Sequence, residues 1–407
     1  MRGLRGVKAH YSDERATVYH GDCIEVMRSL PDNSVDAVVT DPPYELGFMG
    51  KGWDNTGIAY NPQVWQQALR VLKPGGHLLA FGGTRTWHRL AVGIEDAGFE
   101  VRDSIAWLYG SGFPKSLDVS KAIDKRAGVE REVLRERTMT QGGGTSLQLR
   151  MGDIRHVRAD ITAPATPEAK QWAGFGTALK PAHEPIVVAR KPLIGTVAEN
   201  VLTHGTGALN IDGSRIGTTE MLGRAKGGWG NAAVGADNYG NFDSIGITVE
   251  GGRWPANVIL DESQAAELDR QAPSTPYNPA GQFGVNRKAS GEIYGGGKGI
   301  ANVGVPVVGY GDSGGASRFF YVAKANKSER PRDGDTAHPT VKPLALMRYL
   351  CTLVTPPGGT ILEPFAGSGT TVQAALMEGF NVIGIEMTDE YLPLIVERIE
   401  RYGEMLF

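Results

Sequence analysis

Cysteine is nearly absent. Cys23 and Cys351 are the only two in 407 residues. They stand far apart, which excludes a disulfide framework and a cysteine-rich zinc site and fits a reducing cytoplasm. No resident metal is expected. Long apolar runs are missing too: the sequence holds none of the roughly 18 residues that a membrane span needs. The opening segment MRGLRGVKAHYSDERATVYHGD has no apolar core, so no secretory leader is expected there. Positive charge is also short. Forty-two Lys and Arg against 45 Asp and Glu leave a net charge of −3, so any binding to nucleic acid must rest on local positive charge.

Glycine, by contrast, is plentiful. Its 56 residues are about twice ordinary usage. Twenty-six of them fall in the 123 residues from Gly195 to Ser317, a region with little helical periodicity. Outside it, short β-branched runs alternate with helical patterns. ATVYHGD, VDAVVTD, HLLAFGG, FEVRDSIAWLYG and EPIVVARKP read as strands. CIEVMRSLPDN, NPQVWQQALRVLKPGG and WHRLAVGIEDAG read as helices, the second closed by Lys73-Pro74-Gly75-Gly76. Near the C-terminus RFFYVAKA reads as a strand and LALMRYLCTLV as a helix. GTILEPFAGSGTTVQAALMEGFNVIGIEM then reads as a strand–loop–helix–strand unit. This alternation predicts a layered α/β sheet. Between Phe113 and Asp160 the pattern gives way to polar sequence, with a mixed-charge helical piece from Lys115 to Arg137 and ten Lys or Arg against seven Asp or Glu. Length favours two lobes or one domain with a large insertion.

Two motifs carry chemistry. In ILEPFAGSGTT a strand runs into a tight glycine turn that opens a helix, and the next strand, VIGIE, ends in Glu386. Gly367 and Gly369 let the backbone approach a ligand closely. An acid at the end of the following strand is placed to accept hydrogen bonds from ribose hydroxyls. No Lys follows the glycines, as a P-loop requires, and the third glycine of a dinucleotide fingerprint is missing. An ordinary βαβ turn aside, what remains is a nucleoside-bearing cofactor without a diphosphate. The second motif is Asp41-Pro42-Pro43-Tyr44, directly after VDAVVT. Proline cannot continue a central strand, so the chain leaves the sheet there. Strand ends of this kind are where α/β sheets carry reactive groups. Taken alone the string could be a plain turn. In this position its carboxylate, free proline carbonyls and aromatic ring suit a planar, amino-bearing ring. Tyr44 would stack on the face of that ring, and Asp41 and the Pro42 carbonyl would accept from its exocyclic NH₂.

With these motifs the sequence resembles the amino-group DNA methyltransferases that use S-adenosylmethionine. HPTVKP, His338 to Pro343, resembles the family's segment near the methionine part of the cofactor. The catalytic motif comes first and the cofactor loop last, with a long variable region between, which resembles the permuted β group. FMGKGWD (48–54) and LKPAHEPIVVARKP are similar to a phage or prophage branch. The resemblance implies a Rossmann-like methyltransferase sheet, mostly parallel, of seven strands with a reversed hairpin, and a Gly-rich inserted target-recognition region. It divides the chain into a catalytic core over 1–112, 176–194 and 318–407, an inserted basic region over 113–175, and a target-recognition region over 195–317. It implies that Asp41, Pro42, Pro43 and Tyr44 are catalytic. Glu363, Phe365, Ala366, Gly367, Ser368, Gly369, Thr370 and Thr371 would line the cofactor, with Glu386 on its ribose. Thr340, Lys342 and Pro343 would lie near its carboxylate end, and Asp22 and Cys23 near its adenine. Asp22 also suits a helix N-cap before CIEVM, and one residue can do both. Lys342 could equally be a solvated loop lysine.

The implied reaction is direct in-line methyl transfer. An exocyclic amine is a poor nucleophile because its lone pair is delocalised into the ring. Asp41 and the Pro42 carbonyl would draw its hydrogens toward an sp³-like geometry, so positioning and electrostatics do most of the work. Neither cysteine follows a proline, as the nucleophile of cytosine-C5 methylation does, so no covalent base adduct is expected. The base must leave the duplex to be reached. FMGKGWD, with Phe48, Lys51 and Trp53, either closes over it or is a packed surface loop. In this family an Asp at the first motif position goes with adenine N6 and a Ser with cytosine N4, so Asp41 favours adenine. Cytosine N4 is the alternative, ahead of RNA or protein-glutamine methylation and of a silent DNA-binding relic. Arg215, Arg224, Arg253, Asn257, Gln282 and Arg287 are candidate base readers. Double-stranded DNA is the expected partner. A homodimer, a cognate restriction enzyme and a prokaryotic or phage-infected cytoplasm are further expectations. The near-neutral balance predicts that few phosphates are engaged and that the salt dependence is shallow.

Overall fold

The computed structural model describes residues 8–47, 52–112, 116–136, 138–141, 155–158, 160–217, 252–273, 314–323 and 341–404. The chain divides into two units. The larger comprises Met1–Asn210, Asn257–Gln264 and Val322–Phe407; the smaller comprises Ile211–Ala256 and Ala265–Tyr321.

The larger unit is built on a sheet. Its strands in chain order are β1 (Ala9–Ser12), β2 (Ala16–His20), β3 (Val35–Thr40), β4 (Leu72–Phe81), β5 (Glu100–Leu108), β6 (His183–Arg190), β7 (Val258–Asp261), β8 (Tyr321–Ala323), β9 (Thr360–Glu363) and β10 (Asn381–Glu386). Their spatial order is β1-β2-β10-β9-β3-β4-β6-β5-β7-β8. The pairs β2–β10, β10–β9, β9–β3, β3–β4 and β5–β7 are parallel. β6 is the reversed strand, antiparallel to both β4 and β5. The fold is therefore α/β with a mostly parallel central sheet. It has ten strands rather than the expected seven, because β1 extends one edge and β7 and β8 the other. The reversed strand is not half of a tight hairpin either, since the whole 109–182 segment separates it from β5.

The centre of this sheet follows from composition. All six residues of β3, VDAVVT, are buried, as expected for a β-branched run covered on both faces. The helix Pro62–Val71 is capped by the Asn61 side chain, carries Pro at its first position and buries Val64, Trp65, Ala68 and Val71. The helix Leu344–Val354 buries Leu346, Met347, Leu350 and Cys351 without exposure above 1%.

Several sequence expectations shift. Lys73-Pro74-Gly75-Gly76 is not a turn before a strand but the first part of β4. Gly75 N donates to Lys191 O and Lys191 N donates to Gly76 O, so the sheet starts early there. Among the described residues, the mixed-charge piece is helical over Val119–Ala127 and RFFYVAKA is extended from Tyr321 to Ala323. Among the described residues the Gly-rich stretch holds the helices Val197–His204 and Glu262–Gln271. The first lies in the larger unit, whose opening segment runs to Asn210. Asn200 explains why. It is fully buried, its Oδ1 accepts from Ile194 N, and its Nδ2 donates to Pro74 O and Thr206 O. Among the described residues no helix is long and apolar enough to cross a membrane.

Asn200→Ala strands a buried carbonyl pair and an amide. The expected loss is about 2 kcal/mol of stability, read from urea denaturation, with the midpoint moved and the slope unchanged.

Candidate active site

β9 lies directly against β3, pairing Leu362 with Val38. Two motifs some 320 residues apart therefore end side by side at the carboxyl edge of the sheet, where α/β folds bind ligands. Thr40, the last residue of β3, donates its hydroxyl to Glu363, the last of β9. A cleft of about 1350 Å³ opens at this edge. It is lined by Asp22, Cys23, Asp41, Pro42, Pro43, Tyr44, Lys342, Glu363, Phe365, Ala366, Gly367, Ser368, Thr370, Thr371 and Glu386. Gly369 and Pro343 do not line the cleft but brace it. Gly369 sits at φ +80°, where an L side chain is strained, and a Cβ there would lie a tight 3.0 Å from Ile395 Cα, so this turn favours glycine. Pro343 stands at the N-terminus of the helix Leu344–Val354. Thr340 lies outside the described residues, as do Phe48, Lys51, Arg224, Gln282 and Arg287, and of Trp53 only the backbone is described.

On the β9–β10 side of the cleft, Glu386 accepts from Gly367 N at 2.6 Å and Thr388 N at 2.7 Å. Burial raises its pKa, and those backbone donors pull it back. A carboxylate offers about four lone-pair sites, so the Glu386 carboxylate keeps capacity for hydroxyl donors. Asp22 caps the helix Cys23–Ser29, accepting from Ile24 N and Glu25 N, and also faces the cleft. The N-cap reading of Asp22 thus holds, and its place in the cleft leaves it near a bound ligand. Burial, with help from Asp22, pushes the Cys23 thiol up to about 12, and Cys351 is likewise raised, first by burial. Neither thiol is an available thiolate. Among the described residues this side holds carboxylates, a tight glycine turn and the Phe365 ring, and no Lys or Arg other than Lys342. Such a set fits a cationic, nucleoside-bearing cofactor and gives a diphosphate no counter-charge.

The centre is a charge cluster. Lys342 Nζ donates to Asp41 Oδ2 at 2.7 Å and to the Tyr44 hydroxyl at 3.0 Å, and lies 3.2 Å from Glu184 Oε2. The Tyr44 hydroxyl in turn donates to Glu184 Oε2 at 2.8 Å. Burial alone would lower the Lys342 ammonium, but Asp41 and Glu184 override it and raise it. Burial, then Asp41 and Glu184, hold the Tyr44 phenol well above its ordinary value. Lys342 is therefore not a solvated loop lysine: it is buried and bound to the Asp-Pro-Pro-Tyr segment and Glu184. Asp41 spends one oxygen on it. The other, Oδ1, is buried and without a partner, an exposed chemical need in a residue that lines the cleft. Tyr44 O is pinned by Thr86 Oγ1 at 2.9 Å and Tyr60 OH at 3.4 Å. Glu45 follows at φ +55°, so the chain turns sharply after the motif.

Glu363 is fully buried. It accepts from Thr40, from Thr371 Oγ1 at 2.6 Å and from Phe365 N at 3.0 Å. Burial pushes its carboxyl up to about 8 against those donors, and Asp41 adds to the rise. Of the other expected base readers, Arg215 and Arg253 lie in the smaller unit, over the rings of Trp254 and Phe319. Asn257 Nδ2 donates to Asp103 within the larger unit. Glu184 is absent from the sequence-derived candidates. Its only signal is an acid at the start of a strand that proves to run backwards.

The family model described as DNA methylase, for N6 and N4 methyltransferases, matches residues 35–397. The chain belongs to this family. It is an amino-group DNA methyltransferase, and its methyl donor is S-adenosylmethionine. The chain is similar to the type II methyltransferase M.HindIII of Haemophilus influenzae, 22% identical over 426 aligned positions and 94% of each chain. It is also similar to the type II methyltransferase M.ScaI of Streptomyces caespitosus, 39% identical over 85 residues, 21% of this chain and 26% of that one. Among solved structures, the cytosine-N4-specific PvuII DNA methyltransferase aligns over 99% of this chain and 95% of that one, with 14% identity and a TM-score of 0.46.

Two outcomes test the site's electrostatics. Lys342→Met leaves Asp41 and Glu184 buried without their cation, and stability is expected to fall by about 3–5 kcal/mol in chemical denaturation. Glu363 holds its proton longer in the folded than in the unfolded chain. Its contribution is therefore full below about pH 4.5 and declines as pH rises toward about 8. In Glu363→Gln the melting temperature loses this dependence across the same window.

Proposed function

We propose that this methyltransferase modifies the exocyclic N6 of adenine in duplex DNA, acting on a base extruded from the helix. The observation that carries the reading is the unpartnered Asp41 Oδ1 beside a Lys342-bound Oδ2. One oxygen is fixed, and the other waits for a donor. The exocyclic amine supplies that donor, and no described residue donates to the Pro42 carbonyl, which takes the second hydrogen. S-adenosylmethionine, when bound, supplies a methyl group activated on a sulfonium. The rest is done by this chain. Asp41 and Pro42 pull both amine hydrogens toward themselves and free the nitrogen lone pair from the ring. Tyr44 offers its ring face, with the hydroxyl clamped between Lys342 and Glu184. Asp41 Oδ1 is then placed to receive the proton that the nitrogen sheds. Both thiols are buried and raised, so no covalent base adduct is invoked.

Asp at the first motif position supports adenine through the family resemblance. Cytosine N4 is the second reading, because Asp41 and Pro42 would accept a cytosine amine equally well. Asp22, Cys23 and the Glu363–Thr371 turn serve the cofactor in this reading, with Glu386 on its ribose. The motif order supports membership of the permuted β group, and FMGKGWD supports a phage-type branch. Target recognition falls to the inserted residues in this reading. A homodimer and a cognate restriction enzyme belong to the proposal only by resemblance.

Arg85 and Lys180 line the cleft, are exposed and make no ion pair with another described residue. They are the cations placed to meet phosphates beside the extruded nucleotide.

Asp41→Ala is expected to lower methyl transfer to DNA by about 1000-fold in a labelled-cofactor assay while cofactor affinity stays unchanged; full activity would overturn the assignment. Nucleoside mass spectrometry of methylated DNA should show N6-methyladenine, and N4-methylcytosine would decide for the second reading. In Arg85→Ala/Lys180→Ala, the slope of log affinity for duplex DNA against log salt should shrink by about 0.9 for each phosphate that is no longer neutralised.

A further inference from the structure

β6 runs against its neighbours, so its first residues reach the carboxyl edge of the sheet. There Glu184 pairs directly with Trp107 of β5. Side chains of residues paired across an antiparallel ladder stand on the same face. Trp107 therefore stands beside the carboxylate that holds the Tyr44 hydroxyl at 2.8 Å. Its ring packs on Tyr109, two residues on, with centroids 5.0 Å apart. It is 9% exposed and lines the cleft.

The Trp107 indole N–H has no hydrogen-bond partner. Among the described residues, the buried side-chain polar atoms without a partner include only two in residues that line the cleft: Asp41 Oδ1 and Trp107 Nε1. One is an acceptor and the other a donor. A buried N–H without an acceptor is costly, and native proteins rarely leave one so unless a ligand completes it. The indole nitrogen only donates, so the missing group must be an acceptor.

Topology says which ligand brings it. The glycine turn and Glu386 end β9 and β10, on one side of β3. Trp107 ends β5, on the other side, beyond β4 and β6. The cofactor residues and Trp107 thus occupy opposite halves of the cleft, with Asp41 between them. We propose that Trp107 reads the extruded base, donating its indole N–H to a ring nitrogen of the base whose amine Asp41 accepts. Asp41 and Trp107 together then demand a donor and an acceptor on one planar ring, which an aminated base offers. Trp107 is a specificity-determining residue of the substrate half, and this role rests on the proposed base site at Asp41.

The test uses the full-length enzyme and a duplex carrying its methylation site, mapped first by sequencing DNA that the enzyme has modified. Trp107→Phe keeps an aromatic ring against Tyr109 and removes the N–H. Cofactor affinity should be unchanged and kcat/KM for the duplex should fall about ten-fold. On duplexes whose target base is a deaza analogue, each lacking one ring nitrogen, one analogue should cost the wild type the same factor and cost Trp107→Phe nothing further. That loss in the wild type stands even if the variant proves unstable. An unchanged kcat/KM in Trp107→Phe, or a wild type indifferent to every ring nitrogen, overturns the proposal. So does a variant deficit that persists on every analogue. Failure of the parent reading looks different: Asp41→Ala would then keep full methyl transfer to the same duplex, whatever Trp107→Phe does.

Discussion

One buried cation organises this active site. Lys342 reaches Asp41 at the end of β3 and Glu184 at the start of β6, two strands separated by β4. Two carboxylates brought together in a buried cleft repel each other, and the ammonium between them offsets that repulsion. It also divides the labour of Asp41, binding Oδ2 and leaving Oδ1 open. Tyr44 is held by the same pair, so its ring and the Asp41 carboxylate are set by a single ion cluster. Buried ion clusters are weak devices for stability but strong ones for geometry, and geometry is what transfer to a poorly nucleophilic amine requires.

The rest of the sheet exists to bring those groups together. β9 pairs with β3, so the glycine turn and the Asp-Pro-Pro-Tyr segment leave the sheet side by side. The Thr40–Glu363 hydrogen bond ties the two ends. A carboxyl pushed up to about 8 between them shows how strongly the crevice is desolvated. In such a place each hydrogen bond and charge counts for more than it would in water.

Much of this was legible in the sequence where a local pattern carried it. VDAVVTDPPY announced a buried strand and its exit, and EPFAGSGTT with Glu386 announced a turn and its acid, because each signal sits within a few residues. Glu184 and Trp107 were not legible. Neither belongs to a local motif, and both matter only because β6 is inserted backwards between β4 and β5. A reversed strand turns its beginning toward the edge where the others end, and periodicity does not reveal direction. Lys342 was found, but its partners were not, since they lie some 300 and 160 residues away in the chain. Lys73 to Gly76 misled for the opposite reason. Its turn chemistry was genuine, but hydrogen bonds to Lys191 drew the segment into the ladder.

The central claim is the split duty of Asp41. A crystal structure of the enzyme with a cofactor product and a duplex containing the target base tests it directly. The account predicts the exocyclic nitrogen about 3 Å from Asp41 Oδ1 while Lys342 stays on Oδ2. An amine held by any other residue, or a Lys342 released from Asp41 to bind the cofactor, would contradict it.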